Sequence, residues 1–330
     1  MKILVRNRKT KMSLIHPKLL FIPYLFILPG LLTASQNLRT EVAGILVIGD
    51  ESKIPANSIP DPLVMQKGKK AENPNAPWFF IQITDPQFGM FDGNASFEKE
   101  TILYEKAVAK INILNPDFVV ITGDFVNDSK SNSQLKEFKR ITAKINPGIS
   151  IYYTPGNHDL GQSPDENSIK TYSKNFGDDK FFFEHKGSSF LGFNSSLIKA
   201  KLVKPEQKQY KWLTKRLNES RGASHLILFC HYPFFNKNVD EPTAYSNIDL
   251  GNREKYLDLF NSNKVEVVFS GHYHNNSLSK YGNLQLVTTS ALGKPLGIAP
   301  SGMRIVKVYS DRIEHEYFGL DELPDTIQFH

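Results

Sequence analysis

The chain has 330 residues, 40% of them hydrophobic and 12% aromatic, enough to bury one large core or two modest ones. Its formal charge of +6 is misleading, because six basic residues and no acidic one fall within residues 1–35, leaving 34 of each sign in the remainder. That balance excludes the basic footprint of a nucleic-acid binder, and the single cysteine, Cys230, excludes an intramolecular disulfide scaffold.

Residues 1–35 read as a signal peptide. A basic stretch (Lys2, Arg6, Arg8, Lys9, Lys11, Lys18) precedes an apolar run from Leu19 to Leu32, and Thr33-Ala34-Ser35 offer small residues for cleavage. Pro23 and Pro29 interrupt the run, which is short for a membrane span. The protein is therefore expected to be exported, periplasmic or secreted. The alternative is an uncleaved N-terminal anchor, the one reading that brings a membrane into play; the long basic stretch favours it. Residues 36–77 read as an irregular connector. Val42 to Ile48 has the pattern of a short strand, but Pro55, Pro60, Pro62, Pro74, Pro77 and the lysine-rich 67–70 suit exposed, irregular chain.

From Trp78 onward, apolar runs alternate with helical patterns. Five runs end in polar residues. Ile81 to Thr84 leads into Asp85-Pro86-Gln87, and Phe118 to Thr122 leads into Gly123-Asp124 with Asn127 and Asp128 following. Ile149 to Thr154 leads into Gly156-Asn157-His158-Asp159, Leu226 to Cys230 into His231, and Val265 to Ser270 into Gly271-His272-Tyr273-His274. Polar groups that emerge where strands give out occupy the usual place for a ligand site in an α/β sheet. Carboxylate, amide and imidazole are ligands for divalent cations, and imidazole also moves protons near neutral pH. One such turn alone would be local hydrogen bonding; five in one chain point to a metal site. Cys230 ends a strand pattern beside His231. Neighbours on a strand face opposite ways, so it is expected as a buried small hydrophobe and not as a nucleophile.

Helical spacing recurs in Leu103, Ala107, Ile111 and Leu114, and again in Leu135, Phe138, Ile141 and Ile145. A third helix after Pro205 carries Trp212, Leu213 and Leu217, and a fourth carries Tyr256, Leu257 and Phe260. Strands follow one another closely from Phe181 to Asn194 and from Leu284 to Phe318. The pattern predicts an α/β fold of two mixed sheets packed together and flanked by helices. The segment Asn236 to Leu250, with Asp240, Glu241, Tyr245 and Asp249, is placed to act as a lid whose acidic residues would not attract a highly anionic substrate. Ser290 to Gly297 is expected to approach the site from the opposite side.

The ordered set Asp85-x-Gln87, Gly123-Asp124-x-x-Asn127, Gly156-Asn157-His158-Asp159, His231 and Gly271-His272-x-His274 resembles the calcineurin-like metallophosphoesterase family. The resemblance covers Trp78 to the C-terminus. Asp85-Pro-Gln-Phe-Gly and Val267 to His274 are further similar to the calcineurin-like phosphoesterase domain-containing branch of serine/threonine phosphatase type. It implies an α/β/β/α sandwich over residues 78–330 and two divalent cations as cofactors. The first would be held by Asp85, Gln87, Asp124 and His274, and the second by the bridging Asp124 with Asn157, His231 and His272. His272 and His274, two apart, would face the same way on an extended segment.

The implied reaction is hydrolysis of a phosphoric ester. A hydroxide shared by both cations attacks phosphorus in line, and His158 acts as general acid for the leaving group. Asn127 and Asp128 would orient His158 or meet phosphate, or serve only as turn residues. Most of the family carries His where this chain has Gln87. An amide oxygen is harder than imidazole, which favours manganese, with magnesium, iron or zinc as alternatives. The partner is a phosphorylated substrate and not nucleic acid. Competing readings are a phosphodiesterase or pyrophosphatase acting on nucleotides or lipid head groups, and a metal-binding scaffold without turnover.

Overall fold

A computed structural model of the chain describes residues 76–330. The expected signal or anchor segment, the Val42–Ile48 strand and the connector as far as residue 75 lie outside the described residues. In chain order the first half runs β1 (Trp78–Ile83), α1 (Glu98–Leu114), β2 (Phe118–Thr122), α2 (Asn132–Thr142), β3 (Ser150–Thr154), α3 (Asn157–Leu160) and α4 (Glu166–Phe176). The second runs β4 (Phe181–His185), β5 (Ser188–Gly192), α5 (Ser195–Lys199), α6 (Val203–Glu219), β6 (Leu226–Phe229), α7 (Leu250–Ser262), β7 (Val267–Ser270), β8 (Ser277–Tyr281), β9 (Leu284–Thr288), β10 (Gly302–Val308) and β11 (Ile313–Gly319).

Strand alternation sorts the apolar side chains into three layers. Phe79, Ile81 and Ile83 of β1 face Tyr104, Ala107 and Ile111 of α1, together with Phe138 of α2 and Tyr172 of α4. Trp78 and Phe80 turn the other way, to meet Phe118, Phe190, Phe229 and Phe269 between the sheets. Phe80 stacks on Phe118 at 4.8 Å and meets Phe190, Phe229 and Phe269 edge-on. On the far face of the second sheet, Leu191, Leu228 and Val268 pack on Leu213 and Leu217 of α6 and on Tyr256, Leu257 and Phe260 of α7. The layers are helix, sheet, sheet, helix, as expected.

The first sheet has the order β11-β10-β1-β2-β3 and the second β4-β5-β6-β7-β9-β8. Both are mixed. The neighbours β1/β2 and β2/β3 are parallel, which requires crossovers, and α1 and α2 supply them. In the second sheet β5, β6, β7 and β9 are parallel, with β4 and β8 antiparallel at the edges. Gln82 joins the sheets just under the site. Its Nε2 donates to Thr122 Oγ1 (2.9 Å) and to the Ser270 carbonyl (3.2 Å), and its Oε1 accepts from Thr289 Oγ1 (2.6 Å).

Two element boundaries differ from the sequence expectation. α6 begins at Val203, ahead of Pro205, which sits in the first turn where no N–H is needed. α2 ends at Thr142, so Ile145 reaches the core from the turn that follows. Among the described residues no helix is long and apolar enough to cross a membrane.

Candidate metal centre

Five strand ends deliver the expected ligands to one place, and they do so through unusual backbone. Asp85 (φ 50°), Gln87 (φ 38°), Asp124 (φ 51°), His272 (φ 65°) and His274 (φ 51°) all lie in the left-handed region. Such a conformation costs a non-glycine residue on the order of 1–3 kcal/mol, and it concentrates where side chains must be aimed. The expectation that His272 and His274 share a face by strand alternation is thereby corrected. β7 stops at Ser270, and left-handed turns, not extended chain, bring both imidazoles inward. The motif glycines serve close approach. A Cβ on Gly156 would collide with the Asp124 carboxylate, and one on Gly271 with Thr84 Oγ1.

Asp124 lies at the centre. With His231 and His272 it forms one group of ligand atoms within 4.8 Å of one another, and with Asp85 and His274 a second. His231 Nε2 stands 3.2 Å from Asp124 Oδ2, 3.2 Å from Asn157 Oδ1 and 3.2 Å from His272 Nδ1. His274 Nε2 stands 3.2 Å from Asp85 Oδ1. Each imidazole has a carbonyl behind it. His231 Nδ1 donates to Thr122 O (2.8 Å), His272 Nε2 to Tyr245 O (3.0 Å) and His274 Nδ1 to Lys294 O (2.7 Å). These bonds set the tautomers and leave the inner nitrogens bare, the usual support for a metal-ligating histidine.

Inward-facing atoms without partners complete the case for a cation. Asp85 Oδ1 and Gln87 Oε1 are buried and accept no hydrogen bond, an arrangement that calls for an explanation in a folded protein. The Gln87 amide is oriented by donating Nε2 to Asn127 Oδ1 (3.1 Å), which turns Oε1 inward. Bare nitrogens facing each other and facing carboxylates need a positive charge between them, and divalent cations supply it.

The electrostatics agree. Burial pulls the His231 pKa down, but the Asp124 and Asp85 carboxylates reverse this and push it up to about 9. Burial, with the neighbouring His231, pushes His272 down to about 3. Burial favours a neutral Asp124, yet His231, His158 and His272 hold it below the usual carboxylate range. Without a cation the two carboxylates would hold a proton on His231, and a bound cation would take that proton's place.

A family model for calcineurin-like phosphoesterases matches residues 80–276. The human serine/threonine-protein phosphatase CPPED1 is 36% identical over 269 residues, which cover 76% of this chain and 86% of the relative. The chain belongs to the calcineurin-like phosphoesterase family. It is accordingly a metal-dependent hydrolase of phosphoric esters, with two divalent cations as cofactors. A dimetal phosphatase from Danio rerio has the same fold, with a TM-score of 0.54 at 15% identity over 74% of this chain and 97% of its own. So has the purple acid phosphatase PPD1 of yellow lupin, with a TM-score of 0.55 at 15% identity over 75% of this chain and 52% of its own.

In this calcineurin-like phosphoesterase His158 is half-buried and takes no part in either ligand group. Its backbone N–H donates to Asp124 Oδ1 (2.8 Å) and its Nδ1 to the Asn127 carbonyl (2.8 Å), leaving Nε2 beside Gln162 Nε2 at 3.2 Å. Asn127 therefore orients His158, but through its main chain, while its side chain serves Gln87. Asp128 is a turn residue, its carboxylate accepting from Lys130 N (3.0 Å). Cys230 is buried in the core facing α6 and α7, away from the site, and burial raises its thiol pKa.

Several residues around the site make contacts that no local pattern announces. Asp159 accepts from the backbone N–H groups of Phe125 (2.8 Å) and Gly156 (2.8 Å), tying the Asp124 turn to the Asn157 turn. Burial, with Asp124 nearby, pushes its pKa up to about 7. Asn94 and Gln134 stand behind Asn127. Gln134 Oε1 accepts from Asn127 N (3.1 Å), and Asn94 Oδ1 accepts from Asn127 Nδ2 (2.8 Å). Tyr245 donates no charge and no motif, yet its hydroxyl accepts from Asn157 Nδ2 at 3.1 Å. The expected acidic lid is also less acidic than its sequence suggests. Asp249 is paired with Lys199 (2.8 Å) and Lys201 (3.0 Å), and Glu241 turns into its own loop to cap Asn236 N and Lys237 N. The 290–297 segment does reach the site: Leu292 N donates to Thr84 O and Gly293 N to Asp85 O.

Proposed function

We propose that this chain is a manganese-preferring phosphomonoesterase. A first cation is assigned to Asp85, Gln87, Asp124 and His274, and a second to Asp124, Asn157, His231 and His272. The observation that carries the reading is the pair of buried oxygens that accept no hydrogen bond, Asp85 Oδ1 and Gln87 Oε1, set among imidazoles that each spend one ring nitrogen on an outer carbonyl. When bound, the cations supply an activated water and neutralise charge developing on the phosphoryl oxygens. Gln87 brings oxygen where a nitrogen ligand would favour zinc, which supports manganese.

The chain's own residues do the rest. Asp124 places one oxygen toward His231 and spends the other on His158 N, which fixes the acid relative to the metal ligands. His158 has Nδ1 committed to the Asn127 carbonyl, so as an acid it would carry its transferable proton at Nε2, for delivery to the departing alkoxide. Thr84 Oγ1 and His272 N both donate to Asp85 Oδ2, so the other carboxylate oxygen faces the site.

A phosphomonoester is favoured because the human relative is named a serine/threonine-protein phosphatase. We place the enzyme outside the cytoplasm on the basic, apolar and small-residue order of residues 1–35. N-terminal sequencing of the natural protein should begin near Gln36, whereas an intact, membrane-bound chain would favour the anchor. The reaction class is tested with p-nitrophenyl phosphate, bis(p-nitrophenyl) phosphate and a nucleoside diphosphate, each with Mn2+, Mg2+, Fe2+ and Zn2+ in turn. The monoester with Mn2+ should turn over fastest. A diester or diphosphate hydrolysed faster at every metal would overturn the monoester reading.

A further inference from the structure

Residues 234–249 run without helix or strand from β6 toward α7, and the segment is tied down along its length. Arg253, 1% exposed, donates Nε to the Ile248 carbonyl (2.7 Å) and Nη1 to the Val239 carbonyl (2.7 Å). Asn247 Nδ2 donates to Glu241 Oε1 (2.8 Å), closing the loop on itself. Lys199 Nζ donates to the carbonyls of Ala244 (2.7 Å) and Asn247 (2.9 Å), one on each side of Tyr245. These bonds tie the loop to α5 and α7. It is a fixed mount.

What it mounts is Tyr245, 61% exposed and standing over the metal centre. Its ring lies 4.8 Å from that of His272, its carbonyl accepts from His272 Nε2 (3.0 Å) and its hydroxyl accepts from Asn157 Nδ2 (3.1 Å). These polar contacts both go to ligands assigned to one cation, and none of these three contacts goes to a ligand of the other. We infer that Tyr245 is a positioning residue for the second cation, its carbonyl fixing the His272 tautomer and its hydroxyl holding the Asn157 amide with Oδ1 inward. The inference rests on the two-cation assignment above.

The chemistry behind it is the asymmetry of an amide. Asn157 has one edge that ligates and one that repels a cation, and His231 Nε2 lies 3.2 Å from the ligating edge. A partner on the other edge keeps the group from turning. A carboxylate at the same position has two ligating edges and needs no such partner. The hydroxyl should therefore matter with asparagine at position 157 and matter far less with aspartate there.

The test is Mn2+ binding to metal-stripped full-length protein, by equilibrium dialysis with EPR of the exchange-coupled pair. Tyr245→Phe keeps the ring and the carbonyl and removes only the hydroxyl. Loss of an outer partner of a ligand typically weakens metal binding by about 10–100-fold. Tyr245→Phe should therefore raise the Kd of one Mn2+ by about that factor, leave the other unchanged, and convert the coupled signal to a mononuclear one at limiting metal. In the Asn157→Asp background the same substitution should change either Kd by less than about threefold, a cancellation that general loosening of the loop would not produce. Equal losses in both backgrounds, or two unchanged Kd values in Tyr245→Phe, would overturn the inference. Wild-type protein that binds fewer than two Mn2+ would overturn the two-cation reading, and this inference with it.

Discussion

His158→Gln separates a proton donor from a metal ligand. The side chain makes its anchoring bond through Nδ1 to the Asn127 carbonyl at 2.8 Å, so Nε2 is the atom left to carry a proton to substrate. The tie to the metal centre runs through the backbone N–H to Asp124 Oδ1, also at 2.8 Å, and survives the substitution. Glutamine can still hydrogen-bond a phosphoryl or leaving-group oxygen but cannot give up a proton. The loss is that of general acid catalysis, about 10²–10⁴-fold, or roughly 2.7–5.4 kcal/mol of transition-state stabilisation. It should fall almost wholly on substrates whose leaving group is a poor one. The assay is kcat across a series running from nitrophenyl through phenyl to alkyl phosphates, with bound metal measured in parallel. In the variant log kcat should fall more steeply with leaving-group pKa, while two cations remain bound. A loss of the same size at every leaving group, or a loss of metal, would refute the assignment of His158 as the acid.

Gln87→His should keep two cations but shift the balance toward zinc, read as the ratio of Zn2+ to Mn2+ Kd values for metal-stripped protein. An unchanged ratio would mean that Gln87 does not ligate. Gly271→Ala drives a methyl against Thr84 Oγ1 and the Asp85 carboxylate. Forced overpacking should lower stability by about 1–3 kcal/mol in urea unfolding and weaken the cation on the Asp85 side. His225 donates to Glu266 Oε1 (2.9 Å) and to the Tyr309 carbonyl (2.7 Å), and the Glu266 carboxylate raises its pKa from 6.5 against the opposing effect of burial. A raised folded pKa stabilises fully below the unfolded value and is lost as pH climbs through the folded one. The stability difference between wild type and His225→Gln should therefore be largest below pH 6.5 and shrink above it. It should stay on the order of 1 kcal/mol or less because Glu266 is 41% exposed. A difference that grows with pH would contradict the pairing.

The candidate ligands were legible because each is a distinctive residue at the end of an apolar run. Asp85, Asp124, Asn157, His231 and His272 all follow strands whose patterns the sequence displays openly. The layers were legible for the same reason, since the strand runs and helical spacings mark the sheets and covering helices. What escaped was whatever acts through backbone or through long-range contact. Nothing in Asp-Pro-Gln or His-Tyr-His announces a left-handed backbone, although five candidate ligands adopt it. Asp159 was visible in its motif, but its work is to accept backbone N–H groups from Phe125, 34 positions away. Tyr245 reaches Asn157 across 88 positions, a separation at which local pattern is silent. α4 went unread although Asp165 and Ser168 form a capping box, with Ile169, Tyr172 and Phe176 at helical spacing; that signal was present. The acidity of the 236–250 segment is overstated by its sequence, because two of its three acidic residues, Glu241 and Asp249, are spent on neighbouring groups.

The central claim is that one carboxylate, Asp124, organises two cations for phosphoester hydrolysis. Its most direct test is the metal content of wild type and Asp124→Ala after dialysis against Mn2+, measured beside phosphatase activity and far-UV circular dichroism. Wild type should hold two Mn2+ per chain and hydrolyse a phosphomonoester. Asp124→Ala should keep the folded spectrum but fall below one Mn2+ per chain and lose turnover, because both ligand groups include Asp124. A folded Asp124→Ala that still holds two Mn2+ would contradict the account.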